Sequence, residues 1–189
     1  MDYTPQVGDI FLCDSSRLNA KIVKFLMQSP TIYHQIWRYF RHTLEPVYYY
    51  HAGMVISENQ IIEQQFRVQK DDLDKILTRD IIIWRKKDLT KEQQDTIKQR
   101  ATEDIGKTYG IILVIAKTLT WVTGVKLFIN ILGALDRQHE ICINRVCKWY
   151  NHICDFGSPK YFEDNTKTVN KYCEQYPEEW EIIYLNKGV

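Results

Sequence analysis

The chain has 189 residues and a formal net charge of +1, so its overall charge is nearly balanced. Hydrophobic residues make up 44% and charged residues 26%, which is typical of a globular domain that buries a core. The balanced charge excludes the basic footprint of a nucleic-acid-binding protein. We predict one domain over residues 1–189.

The N-terminal residues and the cysteine pattern are the features that bear on the cellular compartment. The first five residues, MDYTP, contain neither a basic segment nor an apolar run, so no signal peptide is predicted. The five cysteines are odd in number and lack a Cys-x-x-Cys spacing, which does not predict a disulfide framework or a zinc site. We expect reduced thiols in the cytoplasm, with export by a route without a signal peptide as the alternative. No cofactor is implied.

The N-terminal part of the chain predicts a strand, a helix and an aromatic segment. Residues 7–13, VGDIFLC, form a strand that follows a turn. Residues 17–28 repeat apolar side chains at helical spacing, which predicts an amphipathic helix that ends before Pro30. Segment 31–46 mixes aromatic and basic residues. It either packs over a sheet edge or forms a lip for a substrate or a membrane surface.

Residues 48–66, YYYHAGMVISENQIIEQQF, predict a β-hairpin. Two apolar, β-branched runs flank a polar turn at 57–60, in which Asn59 supplies the positive φ of a tight turn. His51 near the start of one strand and Glu63 in the middle of the next can then lie side by side. Thiol hydrolases hold a base and its orienting partner in this way.

The middle of the chain predicts a strand and a well-capped helix. Residues 80–85, DIIIWR, are a strong strand. The helix that follows has Thr90 as its N-cap, Gln93 in a capping box, and Gly106 as its end. Its apolar face is predicted to contain four residues: Leu89, Ile97, Ala101 and Ile105.

Residues 111–135 are the most apolar stretch and are long enough to be considered a membrane span. Lys117 and Lys126 interrupt the stretch, and Gly124 and Gly133 weaken its helical propensity. We therefore predict a buried or two-part helical insertion at about 111–135, with lipid contact as the alternative.

A candidate nucleophile opens the next helix, which is predicted over residues 141–153. A helix N-terminus lowers the pKa of a thiol because it places partial positive charge beside the sulfur, and Cys142 lies in this first turn. A buried, inert cysteine is the alternative interpretation. Residues 160–176 are polar and partly helical, and residues 180–185, WEIIYL, predict a last strand.

Five short motifs occur in a characteristic order: VGDIF, HAGMVI, IIEQ, KTYG and a helix-opening cysteine in ICINRV. Together they resemble the circularly permuted NlpC-type papain-like hydrolases, the YiiX/YebB-like group that is related to lecithin:retinol acyltransferase. The resemblance runs from about Gly8 to Pro159. It implies an α+β, permuted papain-like fold, in which a small antiparallel sheet or half-barrel packs against helices that include the nucleophile helix.

The resemblance also implies roles for four residues. Cys142 attacks a carbonyl, His51 is the base, and Glu63 orients the imidazole. The backbone N–H of Cys142 is one oxyanion donor, and Tyr109 lines the site or helps to bind the oxyanion. Unpermuted relatives carry the cysteine first, which makes Cys13 a rival nucleophile.

The expected reaction is hydrolysis of an amide, in a peptide or a peptidoglycan-like γ-linked amide, through a Cys142 acyl-enzyme. The chain departs from the family at residues 143–144, where Ile-Asn replaces the usual small polar residue after the cysteine, and this leaves the substrate open. One alternative is a lipid acyl hydrolase or acyltransferase at a membrane surface. Another is a non-catalytic binding module on the same fold.

Overall fold

The computed structural model describes residues 3–14, 49, 51–65, 67–108, 142–156 and 166–187. These residues form a six-stranded antiparallel sheet and four helices, so the predicted α+β class is confirmed. The strands are β1 (Ile10–Cys13), β2 (His51–Val55), β3 (Gln60–Gln64), β4 (Val68–Asp72), β5 (Ile81–Lys86) and β6 (Trp180–Asn186). The helices are α1 (Asp74–Leu77), α2 (Lys91–Glu103), α3 (Cys142–Tyr150) and α4 (Thr166–Gln175).

The sheet is open, with the strand order β4-β3-β2-β1-β5-β6. Every neighbouring pair is antiparallel. At the end of β1, Cys13 lies opposite His51 on β2 and opposite Ile81 on β5. This row of three residues marks one end of the sheet, and the candidate site lies there.

Both faces of the central strand β1 are covered, which explains its continuous apolar sequence. Ile10 and Leu12 belong to one buried cluster, together with residues of α3 and α4. Phe11 and Cys13 point to the opposite face and belong to a second cluster, which includes Ile76 of α1. The strand begins at Ile10 rather than at residue 7, because residues 7 and 8 form a turn in which Gly8 has a φ of 99°.

The predicted hairpin is present as β2 and β3, but its turn differs from the prediction. A four-residue connection joins the strands, and the N–H of Ile56 donates to the carbonyl of Gln60 at 2.9 Å. Among the described non-glycine residues, only Asp88 has a positive φ. Asn59 therefore does not adopt the left-handed conformation, because the longer connection reverses the chain without it.

The two elements that follow the hairpin were not predicted. Strand β4 has the sequence VQKDD and is the edge strand of the sheet, with only Val68 fully buried. Its polar composition hides the alternation on which strand prediction depends. Helix α1 has four residues and buries only Ile76, which is too short for a helical repeat to be recognised.

Helix α2 confirms the predicted capping box. The N–H of Gln93 donates to Oγ1 of Thr90 at 3.2 Å, and the N–H of Thr90 donates to Oε1 of Gln93 at 3.0 Å. The helix ends at Glu103, and Gly106 has a φ of 89° in the turn beyond it. The prediction that Ile105 lies on the apolar face was wrong: this side chain is 41% exposed, because the helix ends before it.

Helix α3 is buried on almost all sides, since only Lys148 has an intermediate exposure. It ends at Tyr150, three residues before the predicted end, and continues as a turn in which the N–H of Ile153 donates to the carbonyl of Tyr150 at 2.8 Å. Arg145 and Trp149 both donate to Oδ2 of Asp104, each at 3.0 Å. These bonds hold α3 against the end of α2.

Helix α4 lies within the polar region 160–176 that was predicted to be partly helical. Its Val169 and Cys173 pack into the cluster that α3 shares with the sheet. The indole N–H of Trp84 on β5 donates to Oδ1 of Asn170 at 2.9 Å. The predicted last strand is confirmed as β6.

Three predicted segments lie outside the described residues: 17–28, 31–46 and 111–135. Within the ranges that the structure does describe, no helix combines the length and apolar character needed to cross a membrane.

Candidate active site

The structure brings Cys142, His51 and Glu63 together at one end of the sheet. His51 is the first residue of β2, and Cys142 is the first residue of α3. The register of the hairpin places Glu63 opposite Gly53. Because side chains two residues apart on a strand share a face, Glu63 lies on the same face as His51.

The imidazole of His51 is held by a carboxylate. Nε2 of His51 lies 2.8 Å from Oε2 of Glu63, and the exposed fractions of the two side chains are 9% and 1%. The other carboxylate oxygen, Oε1, accepts a hydrogen bond from Nε2 of Gln65. Since Nε2 of the imidazole faces Glu63, the ring nitrogen that remains for a nucleophile is Nδ1.

Gly53 makes room for this pair. A Cβ atom at residue 53 would lie 2.3 Å from Cζ of Phe11 and 2.5 Å from the carbonyl oxygen of Ile62. The Phe11 ring therefore crosses the space that a side chain would fill, and its centroid is 6.1 Å from that of His51. The glycine of the HAG motif is required by this close approach of Phe11.

The Cys142 thiol has three hydrogen-bond partners. They are the side chain of His51 and the backbone N–H groups of Ala52 and Ile143. Burial raises the pKa of the thiol, but the hydrogen bond and charge of His51, followed by the two backbone donors, outweigh burial and bring the pKa below its ordinary value. The site therefore favours a thiolate at Cys142.

The pKa values of the other two residues shift in the matching directions. Burial lowers the pKa of His51, but its hydrogen bonds with Cys142 and Glu63 raise it to about 9. Burial raises the pKa of Glu63, but the hydrogen bond and charge of His51, the charge of Arg79 and the hydrogen bond from Gln65 together outweigh burial, so the pKa lies below its ordinary value. An imidazolium between a thiolate and a carboxylate is the favoured charge state.

The remaining cysteines for which a pKa shift is resolved behave in the opposite way. Burial raises the pKa of Cys13 and of Cys154 to about 12, and it raises the pKa of Cys173 still further. The rival nucleophile Cys13 is fully buried on the strand beside His51. Burial outweighs the hydrogen bond and charge of Arg79 at this thiol, so Cys13 stays protonated where Cys142 ionises.

Arg79 belongs to this cluster although the sequence did not single it out. It lies between α1 and β5, two residues before Ile81 in the row that contains Cys13 and His51. Its side chain hydrogen-bonds to the thiol of Cys13, and its charge acts on both Cys13 and Glu63.

Tyr109, the predicted fourth site residue, lies outside the described residues, and its role stays a prediction. The residue before it is held close to the site. The carbonyl of Thr108 accepts from Nε2 of Gln64 at 3.0 Å and from Arg145 at 3.5 Å. Gln64 is the neighbour of Glu63 on β3, and Arg145 is one turn after Cys142 on α3.

The backbone donors at Cys142 could not be found from sequence. A peptide N–H is common to almost every residue, so the contribution of Ala52 depends on how α3 docks against β2. The sequence offered one signal, the glycine of the HAG motif, which indicates that other atoms approach β2 closely beside His51. Among the described residues, no group of three or more His, Cys, Asp or Glu side chains has the arrangement needed to hold a metal ion.

No protein-family model matches this chain, and no curated protein matches it. One solved structure with a similar fold is the crystal structure of the metalloprotein yiiX from Escherichia coli O157:H7. The match has a TM-score of 0.51 and 18% sequence identity, and it covers 99% of this chain and 92% of that chain. At this identity the likeness concerns the fold alone.

Proposed function

We propose that this protein is a cysteine hydrolase in which Cys142 is the nucleophile, His51 the general base and Glu63 the orienting residue. The observation that carries the proposal is the continuous hydrogen-bonded set from Glu63 through the imidazole to the Cys142 thiol. Each member has a pKa shifted in the direction that its role requires.

The proposed reaction begins with proton transfer from Cys142 to Nδ1 of His51. The thiolate attacks the substrate carbonyl carbon and forms a C–S bond, and the carbonyl oxygen becomes an oxyanion. His51 then donates its proton to the leaving nitrogen as the C–N bond breaks, which gives an acyl-enzyme. Water, deprotonated by the now neutral His51, attacks the thioester, and Cys142 leaves as the thiolate.

The oxyanion needs hydrogen-bond donors that point to the carbonyl oxygen as it gains charge. The first N–H groups of a helix have no partner within the helix, and Cys142 is the first residue of α3. We assign the backbone N–H of Cys142 to this role, and we retain Tyr109 as a second donor or a site-lining residue.

The order of the three residues supports a permuted papain-like arrangement. His51 and Glu63 come from adjacent strands, and the helix that begins with Cys142 comes later in the chain. The likeness to yiiX supports the same family. That neighbour is described as a metalloprotein, whereas the proposed reaction assigns no step to a metal.

The proposed substrate is an amide in a peptide or a peptidoglycan-like γ-linked amide. A protonated His51 can donate its proton to the amine that leaves when such a bond is cleaved. A lipid acyl substrate was suggested by the aromatic segment at 33–50 and the apolar stretch at 111–135. Most of these residues lie outside the described part of the chain, so they add no support for that alternative.

The first experiment measures which thiol reacts fastest. Iodoacetamide is suitable because it is small and Cys142 is only 4% exposed. At pH 7, peptide mass spectrometry should show alkylation of Cys142 before the other four cysteines. His51→Ala should slow this reaction by roughly tenfold or more, because the thiol loses the partner that stabilises its ionised form.

Two controls make the result specific. Cys142→Ser should abolish the fast phase, while Cys13→Ser should leave it in place. Fast labelling of Cys13, or a rate that is the same with and without His51, would show that the nucleophile has been wrongly assigned.

A second experiment identifies the substrate class. Incubation with peptide and lipid libraries, followed by mass spectrometry of the Cys142 peptide, should trap an acyl group derived from a peptide. An acyl chain derived from lipid would favour the lipid alternative. A reactive Cys142 that accepts no acyl group from either library would favour a binding module.

A further inference from the structure

The segment that carries Arg79 is fixed although it belongs to no helix or strand. The N–H of Arg79 donates to the carbonyl of Ile76 at 3.0 Å, and the carbonyl of Asp80 accepts from the N–H of Asp14 at 2.8 Å. The carbonyl of Leu77 accepts from the Tyr184 hydroxyl at 3.2 Å and from the Asn186 amide at 3.1 Å. The backbone around Arg79 is therefore held by α1, by the residue that follows β1 and by the C-terminal end of β6.

The side chain of Arg79 is half-buried on the side of the sheet that carries the base and its orienter. Cys13, which accepts its hydrogen bond, is the direct cross-strand neighbour of His51. Glu63, on which its charge acts, is the hydrogen-bond partner of His51. A guanidinium stays charged at any pH at which the protein is folded, so it is a permanent positive charge at this site.

The charges in the cluster alternate in sign. Arg79 and a protonated His51 are positive, while Glu63 and an ionised Cys142 are negative. The four charges sum to zero when Arg79 is present and to −1 when it is absent. A net negative charge disfavours a further anion in a poorly solvated site, so loss of Arg79 should disfavour the Cys142 thiolate.

We propose that Arg79 is a positioning residue of the candidate site: its fixed charge keeps Glu63 an ionised acceptor for His51 and thereby stabilises the Cys142–His51 ion pair. This inference rests on the proposed function. Arg79 acts through Glu63 and does not touch the substrate. The groups that interact with this charge are Cys13 from β1 and Glu63 from β3. His51 from β2 and Cys142 from α3 follow Glu63 in the hydrogen-bonded set, and Asp14 and Asp80 are the neighbouring acidic residues.

The test is the pH dependence of Cys142 alkylation by iodoacetamide, followed by mass spectrometry of the Cys142 peptide. In Arg79→Gln the midpoint of the rate profile should rise by about 0.5 to 1 pH unit, because the thiolate has lost a favourable charge. Arg79→Lys should keep the midpoint near that of the unaltered protein, since the charge is retained. Arg67→Gln is the matched control, because Arg67 is an exposed arginine near the end of β3.

The outcomes separate this inference from the proposed function. An unaltered protein whose Cys142 reacts slowly, or reacts independently of His51, overturns the proposed function and this inference with it. A fast, His51-dependent reaction whose midpoint is unchanged in Arg79→Gln overturns this inference alone, as does an equal shift in Arg67→Gln. Arg79→Met, which preserves the length of the side chain, replaces Arg79→Gln if near-UV circular dichroism shows that the glutamine variant is not folded.

Discussion

At the scale of single residues, the environment separates five chemically identical thiols. Cys142 has hydrogen-bond donors around its sulfur, whereas Cys13 and Cys154 are buried without comparable stabilisation. Burial disfavours the thiolate at each of these cysteines, and only at Cys142 do the surrounding donors outweigh it. The position of Cys142 at a helix start could be read from the sequence, but the contribution of Ala52 could not.

The pKa shifts of Cys142 and His51 predict a bell-shaped dependence of kcat/KM on pH. Activity should rise as Cys142 ionises, below the ordinary pKa of a thiol, and should fall as His51 loses its proton at about pH 9. The fall follows because a neutral imidazole cannot protonate the leaving nitrogen. The measurement is kcat/KM for a peptide amide from pH 5 to 10.

Alkylation provides the control for this profile, because iodoacetamide needs the thiolate and no proton donor. Its rate should stay high above pH 9 while hydrolysis declines. Glu63→Gln should move the alkaline limb of hydrolysis to lower pH, since the imidazolium loses a negative partner. A hydrolysis rate that keeps rising to pH 10 would contradict the role of His51 as the proton donor.

Gly53 supplies a prediction about packing. Gly53→Ala should lower the free energy of unfolding by more than about 2 kcal/mol, because the new Cβ would meet the Phe11 ring and the Ile62 backbone. Urea denaturation measures the change. Gly106→Ala is the control: a Cβ there meets nothing within 4 Å, so only the positive φ opposes it, at a cost of about 1 kcal/mol. If both variants lost the same free energy of unfolding, steric crowding would not explain why residue 53 is a glycine.

At the scale of elements, the sequence predicted those that carry a local signal. The capping box of α2 and the apolar runs of β2, β3 and β5 are set by neighbours in the chain, and all of them are present. Strand β4 is stabilised by pairing with β3, and its polar residues carry no pattern of their own. Arg79 could not be predicted from the sequence either. It comes close to Cys13 and Glu63 only when the strands pair in the folded sheet.

At the scale of the whole molecule, one buried carboxylate connects α3 to the end of α2. Asp104 is 4% exposed and follows α2, and it accepts hydrogen bonds from Arg145 and Trp149 of α3 and from Lys107. Burial raises the pKa of Asp104, but its hydrogen bonds with Lys107 and Trp149 and the charge of Arg145 outweigh burial and lower it. Its stabilising contribution is therefore present above the unfolded-state pKa and is lost as the pH falls.

Asp104→Asn should destabilise the protein by about 3 to 5 kcal/mol at pH 7, because it leaves the guanidinium of Arg145, only 1% exposed, without its carboxylate. The difference from the unaltered protein should begin to shrink as the pH falls below the ordinary pKa of an aspartate, and it should keep shrinking until Asp104 itself is protonated, which requires a lower pH because its pKa is lowered in the folded protein. Urea denaturation at pH 7 and pH 3 measures both effects.

Lys107→Met is the matched control for Asp104→Asn. It removes a partner whose side chain is 49% exposed, and it should cost less than about 1 kcal/mol. A loss as large as that of Asp104→Asn would show that the exposed partner, rather than Arg145, dominates the interaction.

The donation from the Ala52 backbone to the Cys142 sulfur has a consequence for the newly made chain. His51 and Ala52 are synthesised long before Cys142, and the thiol gains these two partners only when α3 docks against β2. Until then Cys142 is an ordinary thiol, ionised to a few per cent at neutral pH. Fast alkylation of Cys142 therefore requires that α3 has docked, so the alkylation rate during refolding reports when this long-range contact forms.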